Sequence, residues 1–127
     1  MDANLLLWAG QVLLALAFLL VGYGHAPGFE GWSARPGMGW MAAVGRKRMR
    51  VIGLLEIVGA IGLILPGAAG VLPWLTPLAA TCLAVVMALA AVLHARRPGE
   101  VPNIVTNLVL RVIALAIAHG RFVVAPF

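Results

Sequence analysis

The chain has little of what soluble enzymes rely on. It carries one cysteine, Cys82, in 127 residues. That excludes an intrachain disulfide, a CxxC redox pair and a cysteine-based zinc site, and no metal centre is expected. Charged residues make up only 10% of the chain, against about a quarter in ordinary soluble domains. Four of them are acidic, against nine Lys and Arg. No low-complexity tract and no internal repeat is visible. What is present is apolar: 63% of residues are hydrophobic and the mean hydropathy is +1.05. A water-soluble fold this small has too little interior to hide that surface, so the chain belongs in a bilayer.

Four apolar segments stand out, at about residues 4–24, 50–66, 75–94 and 103–123. At about 1.5 Å per residue each can cross a hydrocarbon core about 30 Å thick, the second only just. They are too long and too evenly apolar for the alternating strands of a barrel, so helices are expected. The opening run MDANLLLWAGQVLLALAFLLVGYG lacks a basic leader and is too long for a signal core; it reads as the first membrane helix. Leu75-Thr76-Pro77 offers a threonine cap followed by proline at the first helical position. The expectation is an all-α, integral membrane four-helix bundle, with residues 1–127 as a single domain.

The net charge of +5 points to topology rather than to nucleic acid. Arg35, Arg46, Lys47, Arg48 and Arg50 lie in or beside the first connection, Arg96 and Arg97 in the third, and the second connection has no basic residue. The positive-inside rule then places connections one and three in the cytoplasm and both ends outside, N-out/C-out. Arg46, Lys47, Arg48 and Arg50 are candidates for contact with anionic lipid headgroups. The first connection also holds Trp32, Met38, Trp40 and Met41, which suits a short amphipathic helix lying in the interface.

Within RVIGLLEIVGAIGLILPG, residues 50–67, Glu56 is a carboxylate inside an apolar run. At 100° per residue, Leu54, Ile57, Val58, Ile61, Ile64 and Leu65 share one side and suit lipid. Gly53, Glu56, Gly59 and Ala60 share the other, where small residues let helices approach closely. Glu56 therefore faces protein. On the fourth helix Asn103, Asn107, Arg111, Ala114 and Ala118 form a stripe. Counted from the cytoplasmic ends, Glu56 lies roughly 10 Å deep and Arg111 roughly 13 Å deep. Matching depth, opposite sign and inward faces make Glu56 and Arg111 candidate partners, with Asn107 in the same network; without that partner Glu56 is expected to be protonated. His25 and His94 fall near the same boundary, on inward faces of the first and third helices. The candidate polar pocket is thus Glu56, Arg111, Asn107, His94 and His25. His119 falls near the outer end, away from this cluster.

The run IGLLEIVGAIGLILPGAAGVLPWLTPLAATCLAVVMALAAVLHARRPGE resembles the DoxX-like family of small bacterial membrane proteins. GLLE, GAIGLILPG, WLTPLAA and LHARRPGE carry the resemblance, and NIVTNLVL and Gly120-Arg121 continue it. It implies a four-helix protein of the bacterial cytoplasmic (inner) membrane. The family takes its name from a subunit linked to a thiosulfate:quinone oxidoreductase, and members are associated with redox-stress complexes. Many relatives end helix one with a Gly-x-x-Lys pattern; here the segment is GYGH, with His25 near the lysine position.

Two functions fit. The first is a quinone-linked membrane redox component: Arg111 and Asn107 hydrogen-bond a carbonyl, while Glu56, His25 and His94 exchange its protons. No cysteine pair, flavin motif or clear haem motif carries electrons here, so this reading needs a redox partner protein, or quinone bound without turnover. Haem ligation by His25 and His94 is disfavoured, because no CxxCH is present and both lie at helix ends. The second is a non-catalytic scaffold or subunit, alone or as a homodimer, in which the Glu56–Arg111 pair is structural.

Overall fold

The computed structural model describes residues 2–127. Its elements are α1 (Ala3–His25), α2 (Phe29–Ser33), α3 (Gly39–Val44), α4 (Arg46–Ala69), α5 (Leu75–Ala95) and α6 (Val101–His119), followed by a π-helical turn, Gly120–Val124. There is no strand among the described residues. Four helices, the last counted through Val124, are long and apolar enough to cross a membrane. They form an all-α bundle in which α1 packs on α4, α4 on α5, and α5 on α6.

The helix ends follow local chemistry. Asp2 caps α1, its carboxylate accepting the Asn4 N–H at 3.1 Å. Gly70, at φ 66°, ends α4 in the left-handed region. Pro102 stands in the first turn of α6, where its missing N–H costs nothing.

The second membrane helix is longer than its sequence suggests. It starts at Arg46 and runs through Pro66 to Ala69. Pro66 cannot donate to the carbonyl four residues back, Gly62 O. Thr76 Oγ1 donates to that oxygen instead, at 3.1 Å. Gln11 Nε2 donates to the neighbouring Leu63 O at 2.6 Å. Side chains of α5 and α1 therefore support the proline turn. Thr76 is accordingly not the cap of α5, which begins at Leu75.

The interior is built from small and medium side chains. Leu14, Ala15, Phe18, Ala60, Leu63, Ala80, Ala84, Met87, Ala114 and Ile117 form the core. Gly53, Glu56, Gly59 and Ala60 are all buried, while Leu54, Val58, Ile61 and Leu65 on the opposite side of α4 are exposed. The reason is closeness: a Cβ on Gly53 would lie 2.7 Å from Gly22 O, and one on Gly22 2.8 Å from Gly53 O.

The first connection is helical, as its composition suggested, and holds two short helices. It folds into α2 and α3, and Trp40 and Met41 join Met49 in a second apolar cluster that closes this end of the bundle. Arg46, Lys47, Arg48 and Arg50 stay exposed.

Candidate functional site

Under this cap lies a cavity of about 330 Å³ between α1, α3, α4, α5 and α6. Phe18, Ile52, Met87 and Leu93 give it apolar walls, and His25, Glu56, His94, Asn103 and Asn107 also line it. A cavity of this size suits a small lipophilic molecule fixed by a few polar groups.

Two histidine–carboxylate pairs stand at this end of the bundle. His25, the last residue of α1, places Nδ1 2.8 Å from Glu56 Oε2 on α4. Glu56 is 1% exposed. On the other side, His94 near the end of α5 places Nδ1 3.2 Å from Glu100 Oε2. Glu100 also accepts from the Asn103 amide, and Arg97 Nε lies 3.6 Å from its other oxygen. The Asn103 hydrogen bond, with the charges of His94 and Arg97, holds the Glu100 carboxyl below its ordinary range. The Nε2 atom of each ring has no hydrogen-bond partner among the described residues.

Trp40 stands between the two imidazoles. Its ring meets His94 at 4.6 Å and His25 at 5.6 Å between centroids, both edge-to-face. Its Nε1 is buried with no hydrogen-bond partner. The cap thus supplies an aromatic wall between two proton-bearing pairs.

The structure brings together His25, Glu56, His94 and Asn107, and adds Asn103, Glu100 and Trp40. It does not bring in Arg111. That side chain is exposed and does not line the cavity, and the partner of Glu56 is His25. The reason is helical phase. The inward seam of α6 runs through Asn107, Leu110, Ala114 and Ile117 in steps of three and four. Arg111, one turn beyond Asn107, lies about 40° to the other side of it and about 100° from Leu110. The guanidinium that does turn inward is Arg121, which continues the seven-residue spacing Asn107–Ala114–Arg121. Extending the stripe to the end of the segment would have found it. His119 is exposed, as its position suggested. No group of three or more metal-ligating side chains occurs among the described residues.

These features define a small multi-pass helical membrane protein with a capped cavity at one end of its bundle. The chain matches the DoxX-like family over residues 9–117 and belongs to it. Searches of curated proteins and of solved structures return no match.

Proposed function

We propose that the capped cavity binds a lipophilic carbonyl compound of the quinone class. The observation that carries this reading is the pairing of two histidine–carboxylate couples around one apolar cavity. Each couple holds a proton between Nδ1 and a carboxylate and leaves Nε2 able to accept or donate. Asn107 is placed to hydrogen-bond a carbonyl oxygen. Reducing a quinone to its quinol takes two electrons and two protons. The chain offers two proton-bearing pairs and no electron carrier, so the electrons come from a redox partner protein. Arg111 has no part in this site.

The experiment is purification in mild detergent followed by quinone analysis of the lipid extract. Quinone near one per chain, lost in Glu56→Gln and Asn107→Leu while thermal unfolding stays cooperative, supports the site. Protein that carries no quinone, and whose Trp fluorescence ignores added quinone, rejects it. A second reading rests on the fact that His25–Glu56 ties α1 to α4: the pair is then architecture, and the protein a membrane scaffold or subunit. In that case Glu56→Gln lowers the melting temperature and leaves quinone response unchanged.

The placement that goes with either reading is one DoxX-like domain over residues 1–127 in the bacterial inner membrane, N-out/C-out. The capped end then faces the cytoplasm, and Arg46, Lys47, Arg48 and Arg50 meet anionic headgroups. A cysteine at exposed Gly31, in a Cys82→Ser background, should react with impermeant maleimide only after the inner face is opened.

A further inference from the structure

At the opposite end of the bundle a different charge is buried. Arg121 is 3% exposed. Its Nε donates to Gln11 Oε1 at 2.6 Å, and its Nη1 to Asn4 Oδ1 at 2.7 Å and Ala125 O at 3.0 Å. All three acceptors are neutral. No carboxylate pairs with Arg121 among the described residues. Nη2 is buried and has no hydrogen-bond partner. The guanidinium carbon lies 4.0 Å from the centre of the Phe127 ring and 5.3 Å from that of Trp8.

An arginine stays protonated, and a buried cation without a counter-charge is costly in the interior of a membrane protein. Amide oxygens and ring faces lower that cost without cancelling the charge. Two N–H groups on Nη2 remain as charge-assisted donors for an oxyanion. Arg121 also lines a second cavity of about 240 Å³, whose other walls include Pro73, Trp74, Pro77 and Phe122. Those walls are apolar, so they fit the body of an amphiphile better than a hydrated ion. Phe127 covers the guanidinium, is 44% exposed, and seats its ring where a Cβ on Gly67 would collide with it.

We propose that Arg121 and this cavity form a binding site for an amphiphilic oxyanion, a carboxylate or phosphate carried on an apolar body. The oxyanion takes the free Nη2 hydrogens, the apolar part lies against Pro73, Trp74 and Pro77, and Phe127 moves aside to admit it. The site lies at the other end of the bundle from the quinone cavity and does not depend on it.

The test is calorimetric titration of the full chain in neutral detergent with dodecyl phosphate, dodecanoate, dodecanol and inorganic phosphate. Saturable binding of either amphiphilic anion, with dodecanol and inorganic phosphate at least about tenfold weaker, is expected. Tighter dodecyl phosphate assigns the site to a lipid headgroup; tighter dodecanoate assigns it to a free fatty acid. Arg121→Lys keeps the charge but has three donors for the Gln11, Asn4 and Ala125 acceptors and none spare for an oxyanion, so it should weaken binding about tenfold. Trp74→Ala, at a half-exposed wall position that folding tolerates, should weaken it severalfold. Dodecanol or inorganic phosphate binding as tightly as the amphiphilic anions overturns the proposal. So does unchanged affinity in Trp74→Ala or in a folded Arg121→Lys protein.

Discussion

Thr76 on α5 donates its hydroxyl to Gly62 O on α4, the carbonyl that Pro66 deprives of its helical donor. The bond repairs a defect inside a membrane helix, so its value depends on the defect. Thr76→Val should cost about 1 kcal/mol, because a partly buried carbonyl loses its donor. Pro66→Ala restores an N–H to that carbonyl, so in its background Thr76→Val should cost much less. Thermal unfolding of the two single variants and the double variant measures the difference. Equal cost in both backgrounds would mean that the hydroxyl does not serve the carbonyl.

The α1–α4 contact predicts a second effect. Gly22 and Gly53 each stand where a Cβ would press on the other helix's backbone. Gly53→Ala should force α1 from α4 and cost about 1–3 kcal/mol, the usual range for overpacking. Gly31→Ala meets open space and should be near neutral. Melting temperatures of the two variants decide the point.

Glu100 predicts an acid limb. Its carboxyl is held below the ordinary range, first by the Asn103 amide and then by His94 and Arg97. A depressed acid pKa gives stability that is complete above the unfolded value of 4.5 and is lost as pH falls through the lower folded value. Asn103→Leu removes the largest cause, so the folded value should rise and this contribution shrink. Melting temperatures across roughly pH 3 to 6 should fall less steeply in Asn103→Leu and in Glu100→Gln than in the wild type. A slope unchanged in both variants would remove Glu100 from the account.

The His25–Glu56 pair separates removal of a partner from removal of a charge. His25→Ala leaves Glu56 buried without its partner and should cost about 3 kcal/mol. Glu56→Gln keeps a side chain that can hydrogen-bond Nδ1 and should cost less than about 1.5 kcal/mol. If denaturation in mixed micelles shows the two variants equally stable, the pair contributes little to folding.

Much of the bundle was legible because lipid imposes a simple rule. The apolar face of α4 had to point outward, and its small residues and Glu56 inward, and so they do. Depth was legible too, since residues rise evenly along a helix. Lateral position was not. Glu56 has a partner of the expected kind at the expected end, but His25 rather than Arg111, because charge and depth do not fix helical phase. A short helix in the first connection was legible, but not its division into two or the surface it would meet. Trp40 and Met41 bear the same apolar surface whether they meet lipid or the bundle end, and composition does not separate the two.

Trp40 stands between the two imidazoles, yet α3 belongs to the connection and not to a membrane helix. The chamber and its roof are therefore written in separate stretches of sequence. The helices are held by glycine contacts and a repaired proline turn, and the short roof between Gly28 and Gly45 meets them through Trp32 on Gly24 and Trp40 on His25 and His94. The roof therefore shapes the chamber from outside the membrane helices, through aromatic side chains rather than through the Gly22–Gly53 crossing that sets the walls.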